Sequence, residues 1–314
     1  MAYGLFSLRA KIPARGSICI GKRLKRSWLP VAMVLPFLAF GRISFGQPES
    51  QLPSDMEAAM DMAYGPLPRE SLDLFYSTKR VLPLVIFIHG GGWESGDKSE
   101  DLAEDWTLQG YAIASINYRY SSDAIFPAQL QDGKAAVRWL RAHAAAYHID
   151  PTRFAVFGES SGGHIAALVG TTGAVRTYDV GGDLNESSAV QAVVDFYGPT
   201  DLSLYGPSKS GDGLTRLFGA VTASVPEQVT AANPIHYVTP GDPPFFVAHG
   251  DSDHTVPISH SLALVAALEK AGVQIQFHLV PGGEHGFEGL ALQEALQAAR
   301  LFLDKTLKES DGTR

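Results

Sequence analysis

Short apolar runs alternating with amphipathic helical patterns limit what this chain can fold into more than any other feature. Runs at Leu72–Tyr76, Val85–His89, Ala112–Asn117, Phe154–Phe157, Ala192–Phe196, Phe245–His249 and Ile275–Val280 read as strands. Several are apolar throughout, Leu84–Ile88 (LVIFI) most clearly, as expected of parallel strands buried on both faces. Helical patterns fill the intervals at Pro127–Tyr147, Ser161–Gly170, Pro257–Ala271 and Leu290–Leu307. This alternation predicts a doubly wound, mostly parallel α/β sheet in one domain over residues 71–314. A polar segment over 47–70 precedes it, with a short helix predicted at Met56–Ala63. Residues 198–244 break the rhythm, being rich in Gly, Pro and Ser with weak periodicity. Such an insertion between core strands reads as a lid or ligand-contacting loop, with a plain surface excursion as the equal alternative.

Charge is spread unevenly. The 314 residues carry 25 Lys and Arg against 33 Asp and Glu, a formal charge of -8. Residues 1–46 hold eight basic residues and no acid, leaving 17 basic against 33 acidic residues after them. A body that acidic repels phosphate backbones, which argues against nucleic-acid binding. The basic start leads into Trp28–Phe40, thirteen residues without a charge, and then to small residues at Ser44 and Gly46. This reads as a secretory signal peptide cleaved after Gly46, so a secreted or periplasmic protein is expected. Thirteen helical residues cover about 20 Å, short of a bilayer core of about 30 Å. No stable membrane span is therefore expected; an uncleaved signal anchor and a buried helix of the domain are the alternatives. The one cysteine, Cys19, falls inside that leader, so the mature chain has no disulfide, cysteine nucleophile or Cys-ligated metal.

The chemistry gathers at four loops. Phe154–His164 (FAVFGESSGGH) is a strand, a G-x-S-x-G turn and a helix start, the context in which such a turn lifts a serine clear of the backbone. Ser160, not Ser161, has glycine at both −2 and +2. The helix that begins at Ser161 aims free N–H groups at the same point. His89-Gly90-Gly91-Gly92-Trp93 follows the Leu84–Ile88 run, and its glycines let main-chain N–H groups approach a bound oxygen. A phosphate loop would need Lys-Ser/Thr directly after its last glycine, and that is missing here.

A serine nucleophile needs a base and an acid, which in this architecture follow it in the order acid, then histidine. Among ten histidines, His285 alone lies in the loop after the last strand. His278 lies inside that strand, and His143, His148 and His260 read as helix-surface or helix-end residues. His89 reads as a loop brace and His164 as a structural hydrogen-bonder. Asp251 and Asp253 compete for the acid. The longer reach from the strand end favours Asp253 and leaves Asp251 to brace the turn.

HGGGW, GESSGG, HGDSDHTVP and EHGF, in that order, resemble the α/β-hydrolase superfamily from about Leu72 to Leu307. The set is most similar to the esterase branch of bacterial feruloyl and acetyl-xylan esterases. Hormone-sensitive-lipase-type carboxylesterases are related, but they usually show Asp-Pro-Leu-x-Asp where this chain has HGDSDHTVP. The resemblance implies an α/β-hydrolase fold with a nucleophile elbow: Ser160 as nucleophile, His285 as base and Asp253 as acid. It also implies oxyanion donors from the N–H groups of Gly91, Gly92 and Ser161, and no metal or organic cofactor. The activity implied is hydrolysis of short-chain or aromatic (acetyl or feruloyl) esters, as small molecules or linked to polysaccharide. HGGGW also satisfies the HGGxW pattern of arylformamidases, which keeps an amidase or peptidase open. A catalytically inactive binding module is the alternative from another class. Trp93, Tyr197 and Phe287, with Phe126, Tyr205 and Phe218, are the aromatic candidates for an acyl pocket.

Overall fold

Strand β3 (Leu82–Ile88) is buried at every position, and its side chains divide between two cores. Leu84, Ile86 and Ile88 pack on one face with Leu130 and Val137 of helix α1 (Ala128–Ala142), Ile165 and Val169 of α2 (Ser161–Thr171), and Leu264 and Leu268 of α5 (Ser259–Ala271). Val85 and Phe87 face the other way, toward Ala295, Ala299 and Phe302 of α6 (Gly289–Leu303). The period of two along a strand makes this division, and each fully buried Leu, Ile or Phe contributes about 1.5–3 kcal/mol. The computed structural model describes residues 52–100 and 106–308. The expected leader over 1–46, its cleavage point at Gly46 and Cys19 lie outside the described residues.

Eight strands form one sheet in the order β1-β2-β4-β3-β5-β6-β7-β8. Besides β3 these are β1 (Met56–Ala63), β2 (Ser71–Ser77), β4 (Ala112–Ile116), β5 (Ile149–Glu159), β6 (Ala192–Phe196), β7 (Phe245–Gly250) and β8 (Ile275–Val280). From β4 to β8 every pairing is parallel; β1 and β2 add an antiparallel edge. The parallel strands point their carboxyl ends at one edge of the sheet, where open α/β sheets build their sites.

One expected helix is a strand. Met56–Ala63 consists of Met, Ala, Glu and Asp, mostly good helix formers, yet it pairs antiparallel with β2 from Met56↔Ser77 to Ala63↔Ser71. The ladder is irregular between Ala59 and Met62, where Asp61 takes a φ of 54° and its N–H donates to Asp73 Oδ1 at 2.7 Å. Helix propensity differs by only about 0.7 kcal/mol per residue among ordinary residues, and sheet pairing outweighs it. The segment over 198–244 is better packed than its weak periodicity suggests. It carries α3 (Gly213–Phe218), α4 (Pro226–Ala231) and three 3-10 turns, with Leu202, Leu217 and Phe218 buried. Helices of six residues are too short to display a stripe, so periodicity missed them. An open cavity of about 520 Å³ lies within this segment, lined in part by Leu202, Thr222, Val229 and Asn233; none of Ser160, Asp253 and His285 lines it.

A buried charge cluster pins the loop after α2 to α1. Asp179 accepts Lys134 Nζ at 3.1 Å, Arg138 Nη1 at 3.2 Å and Arg176 Nε at 3.1 Å. Lys134 and Arg138 are fully buried, and burial pushes the Lys134 ammonium below its usual range. Removing the shared carboxylate strands two buried cations. Asp179→Ala is therefore expected to lower the unfolding free energy by about 3–5 kcal/mol, measured as the shift of the urea midpoint. A shift under a fifth of that range would show that water reaches the cluster.

Candidate active site

Strand β5 ends at Glu159 and α2 begins at Ser161, so Ser160 alone makes the turn, at φ 52° and ψ −120°. That backbone is strained for a residue with a Cβ and is held by close packing on both sides. A Cβ on Gly158 would stand 2.1 Å from the Gly162 carbonyl oxygen, and one on Gly162 would stand 2.0 Å from the Ile88 carbonyl oxygen. Only glycine fits either position. Ser160 N–H donates to the Phe196 carbonyl at 2.9 Å, tying the elbow to β6.

The structure brings Ser160, His285 and Asp253 into one hydrogen-bonded line. Ser160 Oγ is 2.9 Å from His285 Nε2, and His285 Nδ1 is 2.7 Å from Asp253 Oδ2. With the proton on Nδ1, Nε2 is free to accept from the serine hydroxyl. The other Asp253 oxygen accepts the Thr255 and Val256 N–H groups, both at 2.8 Å. Asp253 is thereby oriented and buried, whereas His285 stays partly open to solvent. Asp251 sits one turn away and accepts the Gly282 N–H at 2.7 Å; it braces the loop that carries His285.

The Gly-rich loop lies against the elbow: a Cβ on Gly90 would come within 3.4 Å of Ser160 Cβ. His89 is buried, its Nδ1 2.7 Å from the Gly90 carbonyl, in keeping with a loop brace. Downstream, Lys98 Nζ reaches Asp73 at 2.6 Å and Asp61 at 2.8 Å and pins the far end of the loop to β2. Tyr118, just past β4, donates to the carbonyls of His89 and Gly90 at 3.1 and 3.2 Å and lies 3.3 Å from Ser161 Oγ. Ser161 N–H belongs to the first turn of α2, where helix N–H groups lack intrahelical partners. The arrangement thus lays Gly90, the residue before Gly91 and Gly92, against Ser160. Among the described residues no group of three or more His, Cys, Asp or Glu is placed to hold a metal ion.

The aromatic candidates fare differently from expectation. Trp93, Tyr197 and Phe287 are only 6, 5 and 6% exposed, leaving little surface for a ligand. Trp93 Nε1 donates to His164 Nδ1 at 3.1 Å. Tyr197 packs edge-on to the His285 ring at 5.0 Å and to Phe287 at 5.0 Å. Its hydroxyl bonds Glu159, whose carboxyl burial holds above the usual carboxylate range. These side chains support the site from behind. His260, expected at a helix surface or end, is at the start of α5 but fully buried under Tyr205, 4.6 Å away between ring centres.

Sequence reasoning singled out neither Tyr118, Glu159, His249 nor Asp195. No spacing rule links Tyr118, His249 or Asp195 to Ser160, and only the fold brings them close; Glu159 directly precedes Ser160, but nothing in the sequence shows that burial holds its carboxyl up. His249 Nδ1 is 2.6 Å from Ser261 Oγ and Nε2 is 2.8 Å from the Val256 carbonyl, which stiffens the Asp253 loop. Asp195 on β6 is fully buried, with Oδ1 accepting the Gly198 N–H at 2.9 Å. Its carboxyl is wedged where a Cβ on Gly163 or Gly198 would otherwise stand.

Burial raises the Asp195 carboxyl to about 7. An acid whose folded-state value exceeds its unfolded one destabilises the fold progressively as pH rises from about 4 to about 7, because the native state resists ionisation. Asp195→Asn removes that penalty. Its melting temperature relative to the wild type is expected to rise between pH 4 and pH 7 and to level off above. Parallel pH profiles for the two proteins would contradict it.

The sequence profile of the BD-FAE family matches residues 72–268. Esterase LipC of Mycobacterium tuberculosis is 30% identical over 256 residues, covering 77% of this chain and 64% of that protein. The chain therefore spans less than two thirds of that relative's length. Among solved structures, a truncated carbohydrate esterase from gut microbiota matches with a TM-score of 0.74 at 31% identity, over 80% of this chain and 97% of that one. An acetyl ester-xyloside bifunctional hydrolase from Caldicellulosiruptor lactoaceticus matches with a TM-score of 0.65 at 27% identity, over 75% and 88% of the two chains. Profile, sheet order and elbow agree: the chain belongs to the BD-FAE family and has the α/β-hydrolase fold.

Proposed function

We propose that this chain hydrolyses carboxylic esters through an acyl-enzyme on Ser160. The observation that carries this reading is the unbroken line from Ser160 Oγ through the His285 ring to the buried Asp253 carboxylate. Ser160 Oγ attacks the ester carbonyl carbon as His285 Nε2 takes its proton. The carbonyl oxygen becomes an oxyanion facing the N–H groups of Gly91, Gly92 and Ser161, donors that are each worth about 2.7–4 kcal/mol in such sites. Asp253 holds the ring tautomer and stabilises the imidazolium. The intermediate collapses as the C–O bond breaks and His285 returns the proton to the departing alcohol. Water then attacks the acyl carbon as His285 takes its proton, and the acyl bond to Ser160 Oγ breaks as His285 returns that proton to the serine, freeing the acid.

The substrate class we infer is a short-chain or aromatic acyl group, acetyl or feruloyl, on a small alcohol or a carbohydrate. Support comes from the names of two structural neighbours, a carbohydrate esterase and an acetyl ester-xyloside hydrolase. Ser160→Ala is expected to lower kcat on p-nitrophenyl acetate by roughly four orders of magnitude or more, with the circular dichroism spectrum unchanged. Full activity in that variant would sink the reading. In a panel of methyl ferulate, acetylated xylan and p-nitrophenyl acyl esters of increasing length, kcat/KM is expected to fall as the alkyl chain grows. A strong preference for long acyl chains would refute the substrate class while leaving the mechanism intact.

A further inference from the structure

A buried hydrogen-bond chain joins three pieces of the molecule that the relay does not use. The Trp93 indole N–H, in the Gly-rich loop, donates to His164 Nδ1 at 3.1 Å. His164, in α2, has Nε2 2.7 Å from the carbonyl oxygen of Ala232, which follows α4 in the 198–244 segment. Ala232, His164 and Trp93 are 0, 1 and 6% exposed. An indole nitrogen only donates and a carbonyl only accepts, so a single proton arrangement satisfies the chain: Nε2 protonated, Nδ1 bare. Burial pushes the His164 imidazole down to about 4, so the ring stays neutral and keeps that tautomer around neutral pH.

We infer that His164 is a positioning residue that clamps the Gly-rich loop in its oxyanion-binding geometry, and that the 198–244 segment sets this clamp through the Ala232 carbonyl. The inference rests on the ester-hydrolase reading and names a residue that the reading itself does not require.

The loop needs such a restraint. Gly91, Gly92 and Trp93 follow one another at φ 102°, 63° and 62°, and the last of these is strained for a residue with a Cβ. Nothing lies within 4 Å of where a Gly92 Cβ would stand, so side-chain packing does not locate that residue. The Glu94 and Ser95 N–H groups donate to the Gly91 carbonyl and the Ser121 N–H to the Trp93 carbonyl, and two side-chain attachments add to these backbone bonds. Tyr118 grips the Gly90 carbonyl and lies against Ser161 Oγ, while Trp93 hangs on His164. Both attachments lead to α2, the helix whose first N–H is the opposing donor. The His164–Trp93 bond therefore fixes the Gly92 N–H relative to the Ser161 N–H. His164 makes no side-chain hydrogen bond to Ser160, His285 or Asp253, so breaking the clamp leaves their line in place.

The test measures kcat and KM for p-nitrophenyl acetate in the wild type, Trp93→Phe, His164→Asn, His164→Leu and the Trp93→Phe/His164→Leu double variant. Trp93→Phe and His164→Leu are each expected to lower kcat roughly tenfold to a hundredfold, as small misplacements of catalytic groups do, while KM changes less than about threefold. His164→Asn sets an amide oxygen where Nδ1 stands but loses the bond to the Ala232 carbonyl, and is expected to recover part of kcat relative to His164→Leu. The double variant is expected to be no slower than the slower single, because both changes break one bond. Losses that multiply in the double variant, losses confined to KM, or wild-type kcat in Trp93→Phe would overturn the clamp. If His164→Leu does not fold, Trp93→Phe decides alone. Nitrogen NMR gives a readout apart from turnover. A protonated Nε2 and a Gly92 amide resonance displaced in Trp93→Phe support the clamp; a protonated Nδ1 or an unmoved Gly92 amide refutes it. A wild type inert to every ester and to a fluorophosphonate probe would remove the ester-hydrolase reading, and the NMR result then judges the clamp separately.

Discussion

The main chain of α2 runs so close to β3 that a methyl group at Gly162 would stand 2.0 Å from the Ile88 carbonyl oxygen. That contact, with its counterpart between Gly158 and Gly162, compresses the strand-to-helix turn until one residue, Ser160, must take a left-handed conformation. The serine, half-buried, is held clear of strand and helix because the backbone there leaves it nowhere else to go. The same closeness lays Gly90 against Ser160 and brings the Gly-rich loop into range of α2. Two cores on either side of the sheet hold the strands rigidly enough to sustain the strain, since packed interiors yield little.

Burial sorts the ionisable groups around this turn. His89, His164, His249 and His260 are all buried and held below the usual histidine range, chiefly by desolvation. They serve as neutral hydrogen-bonding parts, each engaging a backbone or side-chain partner. His285 differs in being partly solvated and set between a hydroxyl and a carboxylate. Location rather than residue type separates the solvated ring between Ser160 and Asp253 from the buried ones. Glu159 and Asp195, both raised by burial, show the same sorting among carboxyls, with Asp253 distinguished by two backbone N–H donors and the His285 ring.

Much of this was legible in the chain. The strands that are buried on both faces announced themselves as unbroken apolar runs, and Ala192–Phe196 and Ile275–Val280 match their observed bounds. Ser160 and His285 followed from a glycine-spaced serine and from a histidine in the loop after the last strand. Asp253 over Asp251 followed from reach, and the structure has Asp253 on the His285 ring and Asp251 on the Gly282 N–H. Where a side chain's surroundings come from distant segments, sequence reading failed. Met56–Ala63 read as a helix because its only cue was propensity, and pairing with β2 decides otherwise. Trp93, Tyr197 and Phe287 read as ligand contacts because an aromatic side chain near a motif does not reveal which way it faces.

The sequence by itself determined the layered α/β architecture, the serine at the turn and the chain order of its partners. These rest on local rules: side-chain period, glycine where a Cβ cannot fit, and loops at strand ends. Only the tertiary structure decided which imidazoles are buried, which carboxyls are held up by burial, and how Trp93, His164 and Ala232 join over 139 residues of chain. Desolvation and hydrogen-bond complementarity depend on the groups that surround an atom in space. Those groups are chosen by the packing of the whole sheet rather than by neighbours along the chain.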